Sequence, residues 1–234
     1  MSPRRKRVLV SWSGGKDSAW ALYLLQQNPE IELVGLLTTI NQHFRRVAMH
    51  GFREELLRAQ AQAAGLPLWE VPLPWPCSNE QYEEAMAAAC ARAVTERVDA
   101  IAFGDLFLED IRAYREANLA PTGIAPLFPC WQIPTDKLAR EMIASGIRAH
   151  LVCIDPRHLD SSFAGRVFDE SLLNELPPTV DPCGERGEFH TFVSAGPMFA
   201  QGGRSRSIEV RRGDTVERDG FVYADLLPAS AASQ

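Results

Sequence analysis

The sequence predicts an α/β protein in which a doubly wound, mostly parallel sheet is followed by a smaller C-terminal α+β lobe. Three observations carry that expectation. The apolar run Val8-Leu9-Val10 breaks at the glycine pair Gly14-Gly15, and apolar residues then return with helical spacing from Asp17 to Leu25. Strand-like and helix-like segments alternate with short joins up to Gly104, the pattern of right-handed βαβ units. Beyond Gly104 the texture changes, with Pro121, Pro126, Pro129 and Pro134 marking an irregular crossing. A chain of 234 residues, 46% hydrophobic, is long enough for one sizeable core, or for one core with a small lobe appended.

Taken in order, the first strand at Val8 is followed by a helix over Asp17 to Leu25, which Asn28-Pro29 stop. Ile31 to Thr39 is a nearly unbroken apolar run, as expected of a strand covered on both faces. Helix formers extend from Phe52 to Ala64 and end at Gly65-Leu66-Pro67, before a strand at Leu68 to Leu73. A longer helix is expected over Asn79 to Glu96, capped by Ser78 or Asn79, and a fourth strand over Ala100 to Gly104. A helix over Leu106 to Leu119 leads into the proline-rich crossing, and Thr135 to Ser145 form another helix that ends at Gly146. The remaining strands are read at Arg148 to Ile154, Phe189 to Val193, Ser207 to Arg211 and Phe221 to Ala224, with a small polar tail from Pro228 to Gln234 expected to fray. The domain boundary falls in the crossing, dividing the chain into residues 1–128 and 129–234.

Composition excludes several classes of function. A net charge of −6 argues against a broad electrostatic grip on nucleic acid, and Arg4-Arg5-Lys6-Arg7 reads as a solvated flank of the first strand. No apolar run is long enough to cross a bilayer and the N-terminus enters a strand, so no membrane partner and a cytoplasmic location are expected. Cys77, Cys90, Cys130, Cys153 and Cys183 are an odd set without a C-x-x-C pair, which suits reduced thiols better than disulfides or zinc.

The break after the first strand has the chemistry of an anion site. Gly14 and Gly15 let the backbone approach a bound group, the amides at the helix start point toward it, and Lys16 adds a mobile charge. A phosphate is the expected guest. The wording is neither G-x-x-x-x-G-K-[ST] nor G-x-G-x-x-G. Ser13-Gly14-Gly15-Lys16-Asp17-Ser18 instead resembles the PP-loop of the ATP pyrophosphatases, which cleave ATP between the α and β phosphates. Ligands of an open α/β sheet sit beyond the strands' carboxyl ends, so Ser13 to Ser18, Thr38-Thr39 and Gly104-Asp105 are expected to meet at one rim.

Two further groups of residues carry charge. Just past the fourth strand, Glu109, Arg112 and Glu116 share one helix face, either as internal ion pairs or as a grip on phosphate or carboxylate. Asp181 to Phe192 crowds Gly184, Glu185, Gly187, Glu188, His190 and Thr191 into one turn and the strand after it, and alternation puts Glu188 and His190 on one side of that strand. A lone histidine is more often structural than a base, and nothing near Cys183 marks it as a nucleophile.

The hexapeptide at Ser13 to Ser18, His50-Gly51, the segment Gly104 to Glu116, Pro129-Cys130-Trp131 and Cys183 to Phe192 together resemble the diphthine-ammonia ligase family of PP-loop enzymes. The resemblance implies a Rossmann-like HUP domain, a C-terminal substrate-recognition lobe, ATP and magnesium as cofactors, and adenylation of a carboxylate followed by ammonia attack. By that resemblance Ser11, Ser13, Gly14, Gly15, Lys16, Asp17, Ser18, Thr38, His50, Gly104 and Asp105 bind ATP, with Asp17 on the metal. Lys16, Asp17, Glu185, Glu188 and His190 are then the catalytic set, and Glu109, Arg112, Glu116 and Thr191 meet the substrate. The expected partners are ATP, a carboxylate-bearing acceptor (a small molecule or a modified protein side chain), and an ammonia or amine donor; a homodimer is left open. His190 stands where the family usually has Glu, and Asp105, Glu109 and Asp110 also depart from its wording; the run Asp181 to Thr191 resembles a bacterial branch of adenine nucleotide alpha hydrolases for which diphthine need not be the substrate. The alternatives are a regulatory HUP module that binds ATP or AMP with little catalysis, and a tRNA-modifying PP-loop enzyme, which the acidity and the unpaired cysteines disfavour.

Overall fold

A computed structural model describes residues 4–201 and 204–229. Residues 230–234 of the tail expected to fray lie outside the described residues. Its strands are β1 (Lys6–Ser11), β2 (Ile31–Asn41), β3 (Arg46–Val47), β4 (Leu68–Leu73), β5 (Ala100–Ala102), β6 (Ala125–Leu127), β7 (Arg148–Ile154), β8 (Phe189–Ala195), β9 (Ala200–Gln201), β10 (Arg204–Ser205), β11 (Val210–Arg218) and β12 (Phe221–Pro228). The helices are α1 (Lys16–Gln26), α2 (Glu54–Ala64), α3 (Asn79–Thr95), α4 (Glu109–Leu119), α5 (Thr135–Ala144) and α6 (Glu170–Glu175).

The first sheet runs β4-β2-β1-β5-β6, every neighbouring pair parallel, with the short antiparallel β3 on the far end of β2. Val8, Leu9 and Val10 are fully buried because the sheet is covered on both faces. Val8 and Val10 pack with α1 and α2, whereas Leu9 packs with Trp69, Ala93, Ile101 and Leu119 on the side of α3 and α4. The chain winds outward from β1 through β2 to β4, then crosses to β5 and β6. The topological switch therefore lies between β1 and β5, where such sheets open a crevice. The second sheet is antiparallel, in the order β11-β12-β7-β8. It shares one hydrophobic core with α1 and α2, so the two sheets sandwich these helices.

Local chemistry explains most element ends. Gly65 ends α2 at φ 65, and Ser78 opens α3 with a reciprocal capping box to Gln81. Several boundaries differ from the expectation. α2 begins at Glu54 rather than Phe52, since Arg53 bridges to Arg46. α4 begins at Glu109 rather than Leu106, whose amide is taken by the Glu185 carboxylate at 2.7 Å. The expected strand over Ser207 to Arg211 is β11, from Val210 to Arg218. The proline-rich crossing holds an edge strand, β6, where Pro126 costs no ladder bond. Among the described residues no helix is long and apolar enough to cross a membrane.

Candidate active site

A cavity of about 970 Å³ opens at the switch point, a volume at the upper end for small-molecule sites. Ser11, Ser13, Lys16, Asp17, Ser18, Thr38, Thr39, Gly104 and Asp105 line it, so the three strand ends expected at one rim do meet there. Across the opening stand His50, Gly184, Glu185, His190 and Thr191. Gly14 and Gly15 form the layer behind this lining. A Cβ on Gly14, whose φ is +78, would collide with the Phe52 ring, and one on Gly15 would meet His50 Cε1 at 2.7 Å. Gly104 is equally constrained, its missing Cβ falling 2.7 Å from the Ser18 amide nitrogen.

The loop between β1 and α1 is held by buried polar groups. Gln60 is fully buried and accepts from Trp12 Nε1 at 3.0 Å while donating to the Gly14 and Val193 carbonyls at 2.9 and 2.8 Å. The Val193 amide donates to the Gly14 carbonyl at 2.9 Å, and the Lys16 amide to Thr191 Oγ1 at 3.0 Å. Ser13 and Ser18 hydroxyls lie 3.1 Å apart, and Thr38 Oγ1 donates to the Trp12 carbonyl at 2.6 Å. Gly15, which precedes α1, offers no side-chain cap, and the first amide of the helix is capped instead by Thr191 of β8.

Lys16 is turned toward the second sheet, with its side chain 2% exposed. Its ammonium donates to both Asp17 oxygens, at 3.0 and 2.9 Å, and to the Cys183 carbonyl, between the faces of Phe168 and Phe189. Burial opposes its charge, but Asp17 foremost overcomes this and holds the pKa above its ordinary value. Asp17 keeps 26% of its side chain exposed.

The titratable groups opposite the loop are shifted by burial. Glu185 is pushed up to about 7 by burial, against the stabilising bond from the Leu106 amide. Burial and the neighbouring His190 hold His50 down at about 3, and burial with the Lys16 charge holds His190 at about 4. Both imidazoles are neutral near pH 7, their rings 4.8 Å apart, and His50 Nδ1 lies 2.9 Å from the Thr191 carbonyl. Burial likewise raises the Cys183 thiol, so it is inert rather than nucleophilic.

Besides Gly14 and Gly15, four expected site residues do not line the cavity. Glu188 is 2% exposed and precedes β8, so it does not share a strand face with His190. Its two oxygens instead accept from the Asp181 and Arg186 amides at 3.0 and 2.9 Å, closing the turn that presents Glu185. Glu109, Arg112 and Glu116 lie on the outer face of α4, where Arg112 pairs with Glu116 at 2.7 Å and stacks on Phe128 and Trp131. The arginine that lines the cavity is Arg115, paired with Asp105 at 2.5 Å. Sequence reasoning missed it and Gln60. The signal for Gln60 was a lone amide among Leu56, Leu57, Ala61 and Ala64 on the apolar face of α2.

Residues 6–122 match the family model of the diphthamide synthase N-terminal domain, and residues 134–220 that of the diphthamide synthase C-terminal domain. The chain belongs to the diphthamide synthase family. It is similar to the human diphthine-ammonia ligase, 27% identical over 220 residues that cover 82% of this chain and 80% of that protein. The Danio rerio diphthine-ammonia ligase is 27% identical over 218 residues, covering 82% of this chain and 84% of its own length. A solved U34-tRNA thiolase from Methanococcus maripaludis aligns at 20% identity over 61% of this chain and 58% of its own, with a TM-score of 0.40. Membership of the diphthamide synthase family makes the chain an enzyme of the ligase class.

Proposed function

We propose that the chain is an ATP-dependent adenylating amide ligase that converts ATP to AMP and pyrophosphate while joining ammonia or an amine to a carboxylate acceptor. The observation that supports this reading is the start of α1 facing Glu185 and His190 across a single cavity, in a member of a ligase family. In this reading residues 1–128 bind ATP and residues 129–234 recognise the acceptor. Ser13, Ser18 and the first amides of α1 hold the phosphates, Thr38, His50, Gly104 and Asp105 shape the nucleotide site, and Lys16 exchanges Asp17 and the Cys183 carbonyl for phosphate oxygens.

An acceptor carboxylate oxygen attacks the α-phosphorus, the bond to the bridging oxygen breaks, and pyrophosphate leaves. Ammonia then attacks the acyl carbon, AMP departs, and a proton passes to a base. Glu185, with a pKa near 7, is matched to that proton transfer, while Thr191 and the neutral His190 position the acceptor. Glu188 supports Glu185 by bracing their shared turn. Magnesium, when bound, would draw charge from the phosphates. Asp17 fits it, since this ion takes one or two carboxylates with phosphates and water, and among the described residues no cluster of three His, Cys, Asp or Glu side chains forms an all-protein cage. Location in the cytoplasm accords with this chemistry.

The test uses purified protein with magnesium, α-labelled ATP, ammonium and a metabolite extract, with AMP separated from ADP. Extract-dependent AMP, lost in Lys16→Ala, is expected. ADP as the product would refute cleavage at the α-phosphorus, and bound ATP without turnover would favour a regulatory module.

A further inference from the structure

A second cavity, of about 280 Å³, lies on the other side of His190, between the first sheet and the second. The two cavities share Val47, Ala48, Met49 and His190, so His190 stands at the boundary between them. Phe44, Trp75, Phe221 and Tyr223 make the smaller one largely aromatic, and Trp75 and Met49 at its rim are 52% and 71% exposed. Aromatic side chains left open in this way are a common mark of a binding surface.

Two arginines line this cavity, and only Arg46 is held by hydrogen bonds. Arg46 donates to the Gly51 carbonyl at 2.7 Å and to Asp225 at 3.0 Å. Arg218 lies over the Phe44 and Tyr223 rings, at 4.7 and 5.1 Å, and its buried Nε has no hydrogen-bond partner among the described residues. The exposed carboxylate of Asp219 forms a loose ion pair with that nitrogen at 3.6 Å, too long for a hydrogen bond, and the rest of the Arg218 side chain is partly open to solvent. A buried donor without a partner in an aromatic pocket is costly unless a ligand oxygen completes it. The guanidinium fork is shaped for a carboxylate.

We propose that this cavity is the acceptor site and that the acceptor is a small molecule with two carboxylates joined by an apolar stem. One carboxylate passes His190 to be activated in the ATP cavity, the stem lies against Phe44, Trp75 and Tyr223, and the second carboxylate binds Arg218. The assignment of the site to an acceptor rests on the adenylating reading; the prediction of dicarboxylate binding does not. The neutral imidazole of His190 supports it, because it can donate a hydrogen bond to a passing carboxylate without pairing permanently with it.

The test is calorimetric titration of the full chain with straight-chain dicarboxylates from glutarate to suberate, with hexanoate as the one-carboxylate control. At least one dicarboxylate is expected to bind about tenfold more tightly than hexanoate, the scale of one charged hydrogen-bonded contact. Arg218→Gln is expected to abolish that preference and Arg218→Lys to restore part of it, with thermal unfolding confirming that both variants fold. No preference in the wild-type chain, or an unchanged preference in Arg218→Gln, overturns the proposal. Such a result alongside intact AMP formation would leave the proposed function standing, whereas no AMP from any acceptor would remove the proposed function and the assignment of this cavity to its acceptor, with dicarboxylate binding judged by the titration alone.

Discussion

Replacing Gln60 by leucine tests whether the loop that begins α1 is held from below. The side chains have similar volume, so the change removes polar atoms with little loss of packing. Three buried groups lose their partner: Trp12 Nε1, the Gly14 carbonyl and the Val193 carbonyl, now at 3.0, 2.9 and 2.8 Å from Gln60. Leaving a buried polar group unpaired costs about 1–3 kcal/mol, so three cost roughly 3–9 kcal/mol before relaxation. The Gly14 carbonyl keeps its bond from the Val193 amide, and leucine gains about 1–2 kcal/mol from apolar burial. With two groups left unpaired, a net loss of about 2.5 kcal/mol follows, a sizeable share of the about 5–15 kcal/mol that stabilises a typical domain. With an m-value of about 3 kcal/mol/M, urea unfolding should show a midpoint lower by about 0.8 M, and ATP affinity should fall with it. A midpoint within about 0.3 M of the wild-type value would refute the reasoning, because that is what one weak surface bond would give.

The other predictions concern the rim, the pH profile and the division of the chain. Gly104→Ala drives a Cβ to 2.7 Å from the Ser18 amide nitrogen, so the first turn of α1 must shift; ATP binding measured by calorimetry should weaken at least about tenfold, with about 1–3 kcal/mol of stability lost. Glu185 titrates near 7 in the folded chain against 4.5 unfolded, so the folded state binds more protons between those values and stability falls as pH rises through that window. Its contribution is at most about 3 kcal/mol, and Glu185→Gln should remove it from urea midpoints measured between pH 4.5 and 7.5. His50 and His190 act in the opposite sense: their lowered pKa values take stability away as pH drops below 6.5, and His50→Gln with His190→Gln should lessen that acid loss. Residues 1–128 expressed alone should bind ATP far more weakly than the full chain, because Thr191 and Val193 are missing; equal affinity would show that the loop needs no second sheet.

Much of the architecture was legible because its signals are local. The apolar runs at Val8, Ile31 and Arg148 became β1, β2 and β7, Ser78 and Gly65 marked helix ends by their own hydrogen bonds and backbone angle, and Leu68–Leu73 kept its predicted bounds. β3, β6 and α6 were missed, the first two being two- and three-residue strands defined by their partners rather than by a pattern. In the site, Ser13, Lys16 to Ser18, Thr38, Thr39, Gly104 and Asp105 line the cavity as the strand ends implied, and Glu185 and His190 face them. Direction was harder to read than position. Glu188 turns inward because amides from Asp181 and Arg186 converge on it, and α4 presents Arg115 rather than Arg112 because Phe128 and Trp131 capture the latter. Spacing fixes which residues share a helix face, but not which face the rest of the chain takes.

The glycines of the loop show why its motif and the C-terminal one belong together. From sequence, Gly14 and Gly15 are explained by a bound anion alone. In the folded chain each is also required by a neighbour: Gly14 by Phe52 and Gln60 on the way into α2, and Gly15 by His50 and the Thr191 backbone of β8. Thr191 caps the Lys16 amide, its carbonyl meets His50, and Val193 bonds Gly14, so β8 serves the loop almost as an added strand. Turning the Lys16 ammonium back to the Cys183 carbonyl ties the loop to the turn that carries Glu185. The phosphate loop and the polar turn are thus two sides of one hydrogen-bonded unit: a ligand that moves Lys16 acts directly on the turn that holds Glu185, a carboxyl that burial pushes up to about 7.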